Sequence, residues 1–138
     1  MPASAWPVPW QVRSFRQRIP AGFPSPAADY AEEGLDLNDY LIPHRSSTFI
    51  FTVVGDSMKE AGILDGDKVV VDRSIAPRHR HIVIAVVNQE YTIKRLYQRD
   101  GLLELRPENP AYQPIRLNGL DELCIWGVVT GVLRKVAA

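Results

Sequence analysis

Cysteine is almost absent from this chain: Cys124 is the single one. No intrachain disulfide can form, and a reducing cytoplasm is the compartment expected. Its setting, Leu123-Cys124-Ile125-Trp126, reads as a buried position on an apolar strand rather than a nucleophile. No stretch reaches the roughly 18 apolar residues of a membrane-spanning helix. The first ten residues contain three prolines but neither a basic leader nor an apolar core, so no signal peptide is expected there. Histidine is scarce, and His79 and His81 in Arg78-His79-Arg80-His81 have no Cys, Asp or third His at ligand spacing. That cluster reads as a solvated loop, and no metal is expected. There is no phosphate-cradling glycine loop, and no cofactor is expected. Net charge is absent too: 16 basic residues balance 16 acidic ones. No global field draws the chain to nucleic acid, so sequence-specific DNA binding is not expected and any link to DNA should run through a protein partner.

Short strands punctuated by turn residues dominate what is present. The 138 residues suit one β-rich domain plus an arm, and 46% are hydrophobic, enough for a core. Residues 1–40 hold six of the eleven prolines and little periodicity, so they read as a mobile, extended arm. Within it, the basic and apolar residues of 11–18 suit a short strand or a solvated arm, and Leu35 to Leu41 suits one or two helical turns. Residues 41–138 read as the folded domain. Strands are expected at 48–54, 68–72, 82–87, 90–98, 102–106 and 124–133, from their β-branched and aromatic content. The apolar run at 82–87 should be buried on both faces. Asn88-Gln89 and Asp100-Gly101 suit hairpin turns. Gly62 should end a brief helix over 57–61, and Gly127 and Gly131 suggest bends or bulges. Asp65 and Asp67 flank Gly66 as turn formers, not as an acid-base pair.

Two segments carry candidate chemistry. Ser57 stands in Val53-Val54-Gly55-Asp56-Ser57-Met58, at the end of an apolar strand, and Lys94 in Tyr91-Thr92-Ile93-Lys94-Arg95-Leu96, inside a later one. A serine hydroxyl needs a base to become a useful nucleophile. Lysine serves only if burial keeps its amine neutral, and Ser-Lys pairs are a known variant of the Ser-His-Asp arrangement. Taken alone, Gly-Asp-Ser-Met is more often a turn or a helix N-terminus capped by Asp or Ser, and a lone strand lysine is usually a solvated edge residue. Upstream, Ala21-Gly22 in Ile19-Pro20-Ala21-Gly22-Phe23-Pro24 offers a peptide bond that neither side chain obstructs. A Pro-punctuated linker would contain the same dipeptide by chance.

Together and in this order, the segments resemble the LexA/UmuD family of self-cleaving serine proteases, peptidase family S24, across nearly the whole chain after Ile19. The resemblance implies a compact, mostly-β fold of short twisted strands with an extended N-terminal arm. It implies Ser57 as nucleophile, Lys94 as general base and acid, and Ala21-Gly22 as the bond cut. It also implies a homodimer whose cleavage is stimulated by a RecA filament on single-stranded DNA. The shortened product would join a Y-family, UmuC-like subunit in error-prone translesion synthesis during the SOS response. The short arm points to the UmuD branch rather than to a repressor, and the lack of a membrane anchor points away from signal peptidases. The alternative is a non-catalytic binding module that regulates a polymerase and carries a vestigial dyad.

Overall fold

In this computed structural model the residues described are 11–16, 18–24, 26, 32–117 and 122–137. Trp6 and Trp10, to which the sequence assigns no role, lie outside them. The chain divides into two units, the first ending at Pro43 and the second running from His44.

In the first unit, β1 (Gln11–Phe15) pairs antiparallel with β2 (Glu32–Asp36), with Arg13 opposite Gly34. The strand expected as one option for 11–18 is therefore present. Its partner was not legible, because Glu-Glu-Gly-Leu-Asp shows no strand alternation. Helix α1 (Leu37–Leu41) follows directly and is capped by the Asp36 carboxylate, which accepts from the Asn38 N–H at 2.8 Å.

The second unit is a seven-stranded antiparallel sheet. Its strands are β3 (Thr48–Thr52), β4 (Lys68–Asp72), β5 (Ile82–Val87), β6 (Glu90–Arg99), β7 (Leu102–Arg106), β8 (Ile115–Arg116) and β9 (Leu123–Leu133). The spatial order is β3-β4-β9-β5-β6-β7-β8, so the last strand inserts between β4 and β5. The mostly-β reading holds, and the expected strands recur within a residue or two at their ends. The two-residue β8 carries too short a pattern to be read. Asn88 (φ 48°) and Gln89 (φ 70°) form one hairpin turn, and Asp100 (φ 53°) and Gly101 (φ 76°) another. Positive φ at both central positions matches the right-handed twist of the flanking strands. Gly62 (φ 82°) ends a short 3-10 turn at Lys59–Ala61.

The two glycines of β9 mark bulges. Its register slips against β5 between Ile84 and Ala85, opposite Gly127 and Ile125. It slips again against β4 between Val70 and Val71, opposite Gly131 and Val129. A Cβ at Gly127 would lie 2.6 Å from Val71 Cγ1, so only glycine lets β9 approach β4 this closely. Bulges bend and twist the strands that carry them. Here they curl the sheet, since Phe51 of β3 meets both Trp126 of β9 (5.0 Å between ring centroids) and Tyr91 of β6 (6.0 Å), across the intervening strands.

Strand β5 is buried on both faces, as expected. Ile84 belongs to one apolar cluster with Val53, Met58, Ile63, Val69 and Val71, while Val83 and Ala85 belong to another with Leu96, Leu105 and Val128. Cys124 corrects its expectation. It lies on β9 but is exposed, because Leu123 and Ile125 on either side pack against the second cluster and period-2 alternation turns Cys124 outward. Asp67 is a turn former: its carboxylate accepts from the Leu64 N–H at 2.8 Å and pairs with Arg134. The bond from Arg134 dominates in holding the Asp67 pKa down to about 2. In the basic loop, His79 Nδ1 accepts from the Gln98 N–H and His81 Nδ1 from the Arg78 N–H, so both rings brace backbone. Among the described residues no His, Cys, Asp or Glu cluster has metal-site geometry, and no helix is long and apolar enough to cross a membrane.

Candidate active site

Ser57 is placed by the chain leaving β3. Val53 is tied into the domain by its N–H bond to the Asp67 carbonyl (2.8 Å), and the chain then turns sharply at Gly55, whose φ of +92° strains any side-chain-bearing residue. The Gly55 N–H donates to the Asp65 carboxylate at 2.7 Å. Met58, only 1% exposed, plugs into the first apolar cluster and pins the far side of the turn. Ser57, between these anchors, is half-buried.

Lys94 sits in the middle of β6, paired with Val83 of β5. Its Nζ lies 3.1 Å from Ser57 Oγ, 2.9 Å from Thr92 Oγ1 and 3.0 Å from the Ile93 carbonyl oxygen. Thr92 is two residues away on the same strand, so its side chain shares a face with Lys94. Among the described residues the amine has no carboxylate partner. Burial pushes the Lys94 pKa below its ordinary value, because the ammonium loses hydration and gains no counter-charge. A neutral amine suits these contacts. The Ile93 carbonyl can only accept, Thr92 Oγ1 can take the second N–H, and the lone pair is left facing the Ser57 hydroxyl.

The pair opens into a cleft of about 250 Å³ lined by Phe51, Val54, Ile84, Tyr91 and Ile93 among others. The backbone N–H groups of Ser57 and Met58 donate to no acceptor among the described residues. Two free donors beside a hydroxyl are what an oxyanion developing at the attacked carbon requires. The arrangement brings together a hydroxyl, an amine in contact with it whose charge burial disfavours, unpaired backbone donors nearby and an apolar cleft.

Of the four residues singled out from sequence, the structure brings Ser57 and Lys94 together. Ala21 and Gly22 belong to the first unit, in an exposed bend over 21–23. Sequence reasoning missed the loop after β7. The Glu108 N–H donates to the Ser57 carbonyl at 2.8 Å, Asn109 Nδ2 to the Asp56 carbonyl at 3.0 Å, and Tyr112 Oη to the Asp56 carboxylate at 2.7 Å. The bond to Asp56 is the main cause raising the Tyr112 pKa, which keeps the phenol a donor. The Asn109-Pro110 dipeptide signals a turn, but nothing local says which segment that turn braces.

Comparison with known proteins shows the family. A family model described as Peptidase S24-like matches residues 14–130. The chain is 48% identical over 129 residues to Protein SamA of Salmonella typhimurium, covering 94% of this chain and 89% of that one. It is 42% identical over 118 residues to Protein MucA of Escherichia coli, covering 84% of this chain and 80% of that protein. A LexA repressor of Bordetella petrii is 37% identical over 122 residues, which are 87% of this chain and 53% of the repressor. With a family match spanning most of its length and close relatives matched nearly end to end, the chain belongs to the peptidase S24 family.

Proposed function

We propose that this chain is a self-cleaving serine endopeptidase that cuts its own Ala21-Gly22 bond with Ser57 and Lys94. The observation that carries the reading is the 3.1 Å apposition of the Lys94 amine and the Ser57 hydroxyl in a pocket with no counter-charge. Neutral Lys94 takes the hydroxyl proton as Ser57 Oγ bonds to the Ala21 carbonyl carbon. The N–H groups of Ser57 and Met58 receive the oxyanion. Lys94, now an ammonium, returns the proton to the Gly22 nitrogen as the peptide bond breaks. Water, deprotonated by Lys94, then attacks the acyl carbon, and the Ala21 carboxylate leaves as Lys94 returns the proton to Ser57 Oγ.

The pH dependence follows from the sign of the Lys94 shift. Below the Lys94 pKa the active, neutral fraction grows about tenfold per pH unit. Unassisted cleavage should therefore accelerate as pH rises above 7 and level off at a lower pH than an exposed lysine would give, since burial lowers the pKa from its ordinary value of 10.5. Rates read from intact-protein mass across that range check this, and a flat profile would remove Lys94 as the base.

In the cell, the reading places the chain as a cytoplasmic homodimer. A RecA filament on single-stranded DNA stimulates its cut, and the shortened form serves a UmuC-like Y-family subunit in lesion bypass. Kinship with SamA, MucA and LexA supports this role. It is tested by incubating the purified protein with RecA, ATP and single-stranded DNA, then comparing bypass synthesis by the same polymerase with each form. The chain starting at Gly22 should stimulate bypass and the uncut Ser57→Ala chain should not. Equal stimulation by both would favour a non-catalytic binding module.

A further inference from the structure

The nucleophile turn carries bonds of its own, such as Lys59 N–H to the Asp56 carbonyl at 3.2 Å, and is braced from outside as well. The outside brace is the loop after β7, which reaches Asp56 and Ser57 from more than fifty residues away in sequence. Four hydrogen bonds join the two: the Asn109 amide to the Asp56 carbonyl, the Tyr112 phenol to the Asp56 carboxylate, the Glu108 N–H to the Ser57 carbonyl, and the Glu60 N–H to the Glu108 carbonyl at 2.9 Å. Three of them grip Asp56 and Ser57 themselves. Asn109 is 6% exposed, and its Oδ1 accepts from the Ala111 N–H at 3.0 Å, so its amide can point only one way. The loop is tied in turn to the strand of the base. Glu108 forms an ion pair with Arg95, the residue after Lys94, and Arg95 Nη1 also donates to the Arg80 carbonyl at 2.7 Å.

We infer that Asn109 and the Arg95–Glu108 pair are positioning residues: they set the separation of Ser57 from Lys94 by clamping the nucleophile turn to β6. The inference rests on the dyad reading above. Its physical content is that neither end of the pair is rigid alone. Ser57 lies on an irregular turn that a glycine makes sharp, and Lys94 is a long side chain. A shift of about 1 Å between reacting groups lowers rates by about a hundredfold. Buried amides with both ends committed resist such shifts, because breaking either bond leaves a polar group unsatisfied.

Asn109→Asp is the discriminating variant. It preserves volume and the acceptor for Ala111, and replaces the N–H facing the Asp56 carbonyl with an oxygen that repels it. Labelling of the whole protein with a fluorophosphonate reports on Ser57 without using the arm as substrate, and self-cleavage is measured in parallel. Both rate constants, taken well below the melting temperature, should fall roughly tenfold to a hundredfold. Arg95→Gln should also slow both reactions, and Arg95→Lys, which keeps a cation for Glu108, should recover most of the loss. Should Asn109→Asp fail to fold, the two Arg95 variants decide the matter. Wild-type rates in Asn109→Asp, or in Arg95→Gln, overturn the inference. If wild-type protein is neither labelled at Ser57 nor cleaved, it is the dyad reading that fails instead.

Discussion

Ser57→Ala is expected to stop self-cleavage entirely, and Lys94→Ala to slow it by roughly a hundredfold to ten-thousandfold. The asymmetry has a chemical origin. Without Ser57 there is no atom to form the acyl-enzyme, whereas without Lys94 water remains as a poor base. Both variants should stay folded. Ser57 Oγ contacts only the lysine amine among the described residues, so its loss strands no other group. Removing the lysine frees the Thr92 hydroxyl and the Ile93 carbonyl beside a cleft that water can enter, a cost of about 1 kcal/mol each at most. Lys94→Met, which refills the volume, separates the lost base from any packing defect and should be as inactive as Lys94→Ala. Intact mass over time measures the reaction, and thermal melting checks the fold. Product at the wild-type rate from Ser57→Ala would take the dyad out of the mechanism.

Self-cleavage is expected to yield a larger product that begins Gly22-Phe23-Pro24, and Gly22→Glu should reduce that cut below detection. The bond lies in an exposed bend, with Ile19 88% and Phe23 92% exposed on either side. These large apolar residues have little to hold them in place, while the cleft beside Ser57 has an apolar lining. Seating the segment there would remove apolar surface from water, worth roughly 1.5–3 kcal/mol per fully buried large side chain. A carboxylate at position 22 would have to be desolvated next to the attacking oxygen without a cation assigned to it, and it would crowd the approach. No structural damage is expected from the variant itself, since a Cβ at Gly22 meets nothing within 4 Å. N-terminal sequencing of the product, with the variant as its control, tests both halves. A different first residue, or efficient cutting of Gly22→Glu, would move the site elsewhere.

The parts that could be read in advance were those governed by near neighbours. Val69-Val70-Val71 and Ile82 to Val87 are β-branched enough to be strands in any context, and both proved buried. Asn88-Gln89 and Asp100-Gly101 accept positive φ, so their hairpins follow from residue type. The misreadings share a different cause. Glu32–Asp36 is a strand only because Gln11–Phe15 supplies its partner. Cys124 is exposed only because the alternation of β9 is set by what Leu123 and Ile125 pack against. Asn109 is a clamp only because Asp56 lies beneath it.

The sequence by itself determined the β-rich class, the hairpin turns, and the two segments that supply a serine and a lysine. Backbone sterics and side-chain type act within a few residues, and that range covers all of these. Tertiary structure alone decided that β9 inserts between β4 and β5, and that its glycine-marked bulges curl the sheet. It also decided that residues 37 positions apart meet at 3.1 Å. The state of Lys94 belongs to the same level. An amine is neutral or charged according to the water and counter-charges around it, and those are set by the packing of distant strands rather than by the residues beside it in the chain.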